Sequence, residues 1–143
     1  MAKMQSELFY SSKSNEHETP QWLFRELDLE FNFTLDPCCT HENAKCEKHY
    51  TKKENGLEQD WSNEIVFMNP PYGRNIDRWM KKAYLESKKG ATVVCLVYAK
   101  TDTIWWHDWA VKGKVRYIKG RLKFGSAKAP APFGSAIVIF KEN

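Results

Sequence analysis

The segment of this sequence best suited to chemistry is the run Asn69-Pro70-Pro71-Tyr72, which directly follows an apolar stretch. The two prolines fix φ and lack N–H groups, so they end a strand in a rigid turn. Such a turn can aim the Asn69 side-chain oxygen and the Pro70 carbonyl at one point, where both accept hydrogen bonds from an exocyclic amine. These bonds draw the nitrogen out of conjugation, so that its lone pair can attack a methyl donor. Tyr72 adds a ring face on which a planar base can stack.

Asp36 is a second candidate for chemistry, because it ends a stretch that alternates like a strand, Phe31 to Asp36, and is followed by Pro37. Asn69 follows another predicted strand, Glu64 to Met68. Ligands on α/β sheets bind at the carboxyl ends of the strands. A lone aspartate after a strand can also be a plain cap or turn former. The position of Asn69 favours a ligand pocket at this edge for both residues.

A cluster of cysteines and histidines raises the question of a metal site, and its members lie within a dozen residues: Cys38, Cys39, His41, Cys46 and His49. The gap from Cys46 to His49 is short and ligand-like. The set nevertheless lacks the paired spacing of structural zinc sites, and two adjacent cysteines cannot easily reach one metal. We therefore expect no metal and interpret these residues as buried thiols and surface histidines.

The elements that must position these residues alternate between helices and strands. A helix is expected to begin at Thr19-Pro20, with Thr19 as its N-cap and Pro20 at the first helical position. Further helices are predicted at 76–89 and 104–111, and strands at 31–36, 64–68, 91–98, 114–118 and 135–141. This alternation predicts an α/β sheet with helices on both faces.

The composition suits one compact domain, with 143 residues of which 42% are hydrophobic. Residues 1–17 are predicted to form a polar N-terminal arm, and residues 18–143 the catalytic domain. The sequence has no apolar run long enough to span a membrane and no signal-peptide pattern, so we expect a cytoplasmic protein with reduced thiols. A formal net charge of +4 is compatible with a nucleic-acid partner but does not require one.

Several motifs together resemble the small phage-type DNA N6-adenine methyltransferases. The Asn-Pro-Pro-Tyr run after a strand is the catalytic motif of amino methyltransferases that act on adenine N6, and of relatives that act on glutamine or guanine. The resemblance extends in unbroken order from about Glu18 to Phe140, through the segments Glu18-Thr19-Pro20, FTLDPCC, NGLEQDW, NPPYG, TDTIWWHDW, GRLKFG and APFGSAIVIF.

The resemblance implies a single-domain Rossmann-like class I methyltransferase sheet, abbreviated relative to the full fold, with S-adenosylmethionine as cofactor. It assigns catalysis to Asn69, Pro70, Pro71 and Tyr72. It assigns the segment beside the methionine end of the cofactor to Thr19 and Pro20, and the first cofactor motif to Asp36, Pro37 and Cys38. The acidic-aromatic pair beside the cofactor's adenine is then Asp60-Trp61, and Asn69 also belongs to the cofactor site.

The first cofactor motif departs from the pattern of this superfamily. Its usual glycine-rich loop is replaced by Pro37-Cys38-Cys39, and no glycine occurs between residues 1 and 55. Glycine allows a backbone to approach a ligand closely, so the approach at this loop is left open. Because few residues separate Asp36 from Asp60, the usual second helix and strand are abbreviated. The acidic residue that usually binds the ribose is not identified.

The predicted loop after residue 118 supplies candidate contacts to DNA. Phosphate contacts are expected from Arg121 and Lys123 in this loop, and from Arg74 after the Asn-Pro-Pro-Tyr turn. Phe124 and Phe133 are expected to wall the pocket for an extruded base, and the alternative is that either ring only packs in the core.

The predicted function is methyl transfer from S-adenosylmethionine to the N6 amino group of adenine in DNA, in one in-line displacement without a covalent enzyme intermediate. We expect a monomer or small homo-oligomer, in the bacterial host cytoplasm if the gene belongs to a phage or prophage. One alternative is a methyltransferase that acts on RNA or protein glutamine. Another is a non-catalytic, zinc-dependent nucleic-acid-binding module built on the cysteine and histidine cluster.

Overall fold

Helices and strands alternate along the chain in the computed structural model, which describes residues 18–125 and 129–142. The predicted N-terminal arm, residues 1–17, lies outside the described residues. The described helices and strands are α1 (Gln21–Phe31), β1 (Ile65–Met68), α2 (Ile76–Ser87), β2 (Thr92–Tyr98), α3 (Ile104–Asp108), β3 (Lys114–Tyr117) and β4 (Ser135–Lys141). Short 3-10 turns occupy Gly56–Glu58 and Ala110–Lys112. None of these helices has the length and apolar character needed to cross a membrane.

The four described strands form one mixed sheet in the order β1-β2-β4-β3. Strands β1 and β2 are parallel, with Met68 beside Cys95, and β4 runs antiparallel to both of its neighbours. Beyond β1, Leu35 forms an isolated parallel bridge to Val66, and Asp36 forms another to His49. The chain therefore reaches the same edge of the sheet at Asp36, at the end of β1 and at the end of β2.

Side chains alternate between the two faces of the sheet, and both faces are covered. On one face, Val93, Cys95 and Val97 share a buried cluster with apolar residues of α2 and α3. On the other face, Val94 and Leu96 share a second cluster with apolar residues of α1. Continuous apolar runs are typical of strands that are covered on both sides. The predicted α/β sheet with helices on both faces is confirmed.

The predicted strand at 31–36 is wrong over most of its length. Phe31 is the last residue of α1, and Asn32 closes that helix in a left-handed conformation (φ 58°) with its N–H bonded to the Asp28 carbonyl at 2.8 Å. The Asp28 carboxylate then accepts a hydrogen bond from the Phe33 N–H at 2.9 Å. These turn contacts leave only Leu35 and Asp36 to pair with neighbouring chain.

The predicted N-cap role of Thr19 is also wrong. Helix α1 begins at Gln21, with Pro20 in the N-cap position, and no side chain caps the helix. The Pro20 carbonyl accepts hydrogen bonds from the N–H groups of Leu23 and Phe24, both at 3.1 Å. Because the helix starts one residue later than predicted, the Thr19 hydroxyl is directed to a different partner, described below.

The other predicted elements differ from the structure mainly at their ends. Helix α2 ends at Ser87, two residues before the predicted Lys89, and Gly90 follows with φ +99°, as expected of a glycine at a helix end. Helix α3 stops at Asp108, and the remainder of the predicted helix continues as the 3-10 turn Ala110–Lys112.

Gly56 lies against the loop that follows Asp36. A Cβ atom at Gly56 would lie 2.1 Å from the Pro37 carbonyl oxygen. The Gly56 carbonyl in turn accepts a hydrogen bond from Trp61 Nε1 at 3.0 Å. The Pro37-Cys38-Cys39 loop contains no glycine of its own, so the close backbone approach at this loop is made by a glycine from a distant segment.

Replacing Gly56 by alanine is therefore expected to destabilise the protein. The added methyl group would overlap backbone atoms, and overpacking of this kind costs about 1–3 kcal/mol. Urea unfolding should show the loss in the free energy of unfolding. Gly134→Ala is the matched control, because a Cβ there meets no atom within 4 Å, and it should change stability by less than about 0.5 kcal/mol. Equal stabilities of the two variants would show that the Gly56 contact can relax.

Candidate active site

Asn69, directly after β1, is held by two segments that are distant in sequence. Its side-chain Nδ2 donates a hydrogen bond to Thr19 Oγ1 at 3.0 Å. Its backbone carbonyl accepts a hydrogen bond from the Cys38 thiol at 3.4 Å. The structure thus brings together three of the predicted cofactor and catalytic residues at the carboxyl end of β1.

The hydrogen bond to Thr19 sets the chemical character of the Asn69 side chain. With Nδ2 directed at Thr19, the other end of the amide is the acceptor Oδ1, which is shielded from solvent. Pro70 is buried and Pro71 half-buried, so the turn that carries Asn69 is supported by packing. The arrangement suits Asn69 to accept a hydrogen bond from a bound amine.

Tyr72 belongs to a group of aromatic rings at the same edge of the sheet. Its ring stacks on that of Tyr98, the last residue of β2, with centroids 4.4 Å apart and an interplanar angle of 19°. The centroid of the Tyr98 ring also lies 6.0 Å from that of Phe124 and 5.3 Å from that of Phe133. Tyr98 therefore connects the three aromatic residues that the sequence assigned to the base.

Sequence reasoning missed Tyr98. The sequence did contain a signal for it. Tyr98 ends the predicted strand 91–98, just as Asn69 directly follows the predicted strand 64–68. Burial raises the pKa of the Tyr72 hydroxyl well above its usual value, so this group stays protonated at neutral pH. Tyr72 is therefore suited to contact a base through its ring rather than to act as a general base.

Asp36 is buried next to its bridge to His49, with only 4% of its surface exposed. Its carboxylate accepts hydrogen bonds from the backbone N–H groups of Lys45, at 3.0 Å, and Cys38, at 3.4 Å. Burial raises the pKa of this carboxyl to about 6, although the two N–H bonds act in the opposite direction. Asp36 thus closes the loop from Cys38 to Lys45, and its role toward a cofactor stays a prediction.

The predicted pair Asp60-Trp61 is divided between surface and core. The Trp61 ring is fully buried and lies near-parallel to Trp79 at 6.4 Å, while its backbone N–H donates to the buried Glu86 carboxylate. The Asp60 side chain is 71% exposed. Hydrogen bonds from Ser62, with a further contribution from Lys89, lower its pKa. Trp61 thus belongs to the core, Asp60 is accessible from solvent, and the role of the pair toward a cofactor stays a prediction.

Of the residues predicted to contact DNA, Arg74, Arg121, Lys123 and Phe133 are exposed, whereas Phe124 is buried in the second apolar cluster. Arg74 and Lys123 are exposed to solvent. Arg121 donates a hydrogen bond to the Pro132 carbonyl at 2.8 Å and so ties together two parts of the loop before β4. Lys100 lies 4.5 Å from the ring centre of Phe133, which adds a positive charge next to the aromatic group.

The cysteine and histidine cluster is used for packing and local hydrogen bonds. His41 Nδ1 lies 2.9 Å from His49 Nε2, and the other ring nitrogen of His49 faces the carbonyls of Cys46 and Glu47. Burial raises the pKa of the Cys46 thiol to about 12 and that of Cys39 further. Within residues 18–125 and 129–142, no three potential ligands converge as a metal site would require.

Comparison with known proteins shows which sequences this chain resembles. The sequence model of the DNA N-6-adenine-methyltransferase (Dam) family matches residues 6–142. The chain is 34% identical over 92 residues to the "DNA N-6-adenine-methyltransferase" of Haemophilus phage HP1 (strain HP1c1), an alignment that covers 61% of this chain and 51% of the relative. It is 38% identical over 61 residues to the "Putative methyltransferase YfdM" of Escherichia coli (strain K12), covering 38% of this chain and 67% of that protein. The chain thus spans about half the length of the phage relative.

The environment of Asp36 generates a prediction about pH. A carboxyl whose pKa rises on folding, here from 3.8 to about 6, favours the folded state below pH 3.8 and loses that contribution as pH rises through 6. Asp36→Asn removes this titration. Between pH 7 and pH 4.5, the stability of the unmodified protein relative to the variant should therefore increase by roughly 2 kcal/mol.

Urea unfolding of both proteins at the two pH values measures this change, because contributions common to both cancel in the difference. A difference that does not vary with pH would mean that Asp36 titrates as an exposed carboxyl does.

Proposed function

This chain belongs to the DNA N-6-adenine-methyltransferase (Dam) family, and on that premise we propose that it transfers a methyl group from S-adenosylmethionine to the N6 amino group of adenine in DNA. The observation that carries the proposal is the position of Asn69 at the carboxyl end of β1, between Thr19 and Cys38 and next to the stacked ring of Tyr72. The amide oxygen of Asn69 can accept a hydrogen bond from the amine of a planar base, and the ring of Tyr72 can stack on that base.

The finer fold assignment is a Rossmann-like class I methyltransferase sheet in abbreviated form. It is supported by parallel pairing among Leu35, β1 and β2, by helices on both faces, and by an antiparallel β4. Beside Asp36, His49 adds one bridge at the position where a fuller sheet would continue. Ligands on such sheets bind beyond the carboxyl ends of the parallel strands, where Asn69 lies.

The residues at this edge fit S-adenosylmethionine in their chemistry. The methionine end of the cofactor and its ribose need donors and acceptors, and this edge offers the Asp36 carboxyl and the backbone around Cys38. When bound, the cofactor supplies an electrophilic methyl group. Pro20, Pro37 and the Asp60-Trp61 segment complete the proposed cofactor site.

The contribution of Asn69 is to hold the amine by accepting a hydrogen bond through Oδ1, with the Pro70 carbonyl proposed as a second acceptor. As the nitrogen develops positive charge, these hydrogen bonds strengthen, so they stabilise the transition state more than the ground state. The Cys38 thiol next to Asn69 has a pKa raised by burial and stays protonated. Because the thiolate is the nucleophilic form of cysteine, Cys38 is not suited to covalent catalysis.

The target adenine must leave the DNA stack to reach Asn69. Tyr72, supported by Tyr98, is proposed to hold its plane, with Phe124 and Phe133 as further walls. Phosphate contacts are proposed for Arg74, Arg121 and Lys123, which are exposed. The net charge of +4 is consistent with a polyanionic substrate.

Product analysis tests the proposed function directly. Incubation with labelled S-adenosylmethionine and separate samples of DNA, RNA and protein, followed by nucleoside and amino-acid analysis, should yield N6-methyladenine from DNA. Asn69→Ala should lower kcat by about 100-fold or more, because it removes a contact that strengthens in the transition state.

Asn75→Ala is the matched control for this variant. Asn75 lies six residues along the same loop, at the N-cap of α2, and its side chain makes no capping bond. Its replacement should leave the rate within about twofold, as expected for an exposed surface position. Label found in RNA or in glutamine would replace DNA as the substrate, and a normal rate in Asn69→Ala would remove Asn69 from the mechanism.

Tyr72 is expected to act mainly on DNA binding. Stacking of a base on an aromatic ring is worth about 1–3 kcal/mol, so Tyr72→Ala should weaken DNA affinity roughly tenfold or more and also lower the rate. Tyr72→Phe keeps the ring and should retain most of both. A mismatch opposite the target adenine should partly rescue Tyr72→Ala, because extrusion of the base then costs less. Fluorescence anisotropy with matched and mismatched duplexes measures the affinities, and full activity in Tyr72→Ala would contradict the stacking role.

A further inference from the structure

Thr19 contacts a residue that sequence reasoning did not connect with it. We propose that Thr19 is a positioning residue that fixes the Asn69 side chain for the reaction, a role that rests on the function proposed above. The Thr19 side chain does not cap α1, and its Oγ1 accepts the hydrogen bond from Asn69 Nδ2 at 3.0 Å. Thr19 is only 4% exposed, so water competes little for this bond.

The requirement for such a contact follows from the geometry of an asparagine side chain. The amide rotates about two torsions, and the one next to the amide plane has a broad, weakly defined minimum. A hydrogen bond at Nδ2 removes this freedom and leaves Oδ1 in one place. Because catalysis by positioning is sensitive to displacements of about 1 Å, a fixed Oδ1 is worth more than a mobile one.

Thr19 is itself held firmly, which makes it an effective anchor. Its β-branched side chain has restricted rotamers. The residue before it, Glu18, accepts a hydrogen bond from the Gly125 N–H at 2.8 Å through its carbonyl, and its carboxylate pairs with Lys45 at 3.6 Å. The residue after it, Pro20, has a fixed φ and forms the start of α1. The Thr19 hydroxyl is thus fixed from both sides along the chain.

This role differs from the one that resemblance alone assigns to Thr19, which is contact with the methionine end of the cofactor. A cofactor ligand acts on the affinity for S-adenosylmethionine. A residue that positions Asn69 acts on kcat and leaves that affinity unchanged. The two roles therefore predict opposite divisions between kcat and cofactor binding.

Thr19→Val separates the two roles, because valine keeps the shape of threonine and lacks the hydroxyl. We expect kcat at saturating S-adenosylmethionine to fall on the order of tenfold, as the loss of one hydrogen bond implies, with the cofactor Kd within about twofold of its original value. Thr19→Ser keeps the hydroxyl and should restore most of the rate. Thr92→Val carries the same substitution at the amino end of β2, at the opposite edge of the sheet, and should change neither quantity.

A double variant tests whether Thr19 acts through Asn69. If it does, adding Thr19→Val to Asn69→Ala should lower kcat no further, because the group being positioned is already absent. A further loss of about tenfold in the double variant, relative to Asn69→Ala alone, would overturn the proposal. A rise in cofactor Kd of tenfold or more in Thr19→Val, with kcat unchanged at saturation, would also overturn it in favour of the cofactor role.

NMR of the Asn69 side-chain amide tests the contact with Thr19 without any enzymatic turnover. Its outcome is therefore independent of the test of the proposed function. The side-chain amide of Asn69 should give a ¹⁵N–¹H pair of resonances that shifts or broadens in Thr19→Val and is retained in Thr19→Ser. If the unmodified protein methylated no DNA, the proposed function would fail, while these resonances would still show whether Thr19 holds Asn69. Unchanged resonances in Thr19→Val would overturn the contact itself. Should Thr19→Val not fold, Thr19→Ala provides the same comparison.

Discussion

Parallel pairing at one side of the sheet is the constraint on which the site depends. Leu35 pairs with Val66, and Val66 pairs with Val93, so three chain segments run in the same direction and end at the same edge. A slip of one residue in this register would turn every side chain of β1 to the opposite face. The buried alternation of both faces resists such a slip, since Phe67 and Met68 pack on different sides of the sheet. The position of Asn69 is therefore fixed by the packing of the core beneath it.

The three residues before α1 connect the separate loops that form the candidate site. Residues 18–20 contact the loop after Asp36 through Lys45, the turn after β1 through Asn69, and the loop before β4 through Gly125. These contacts join segments that no local interaction would bring together. Because the same three residues also start the helix that covers one face of the sheet, the folding of α1 and the assembly of the site depend on one another.

The sequence predicted the elements whose signal is local and failed where a distant partner decides the outcome. The apolar runs of β1, β2 and β4, and the turn at Asn69, follow from periodicity and proline chemistry, and their bounds agree with the structure to within a residue or two. Thr19 has the residue type of an N-cap, yet its hydroxyl bonds to a side chain fifty positions away. Likewise, Gly56 packs against Pro37 in the loop after Asp36, a contact that no local pattern reveals.

The groups next to Asn69 are neutral and are held in place by their neighbours. Burial raises the pKa of the Cys38 thiol and the Tyr72 hydroxyl, so neither is ionised near neutral pH. An amine that attacks an electrophilic methyl group needs no strong base before the bond forms, because its lone pair is already present once conjugation is reduced. Under the proposed function, catalysis comes from the placement of acceptors and of the base plane, and not from a charged nucleophile. This explains why the residues around Asn69 and Tyr72 are mostly hydrogen-bonding and stacking partners: a site that acts through position depends on the rigidity of its neighbours.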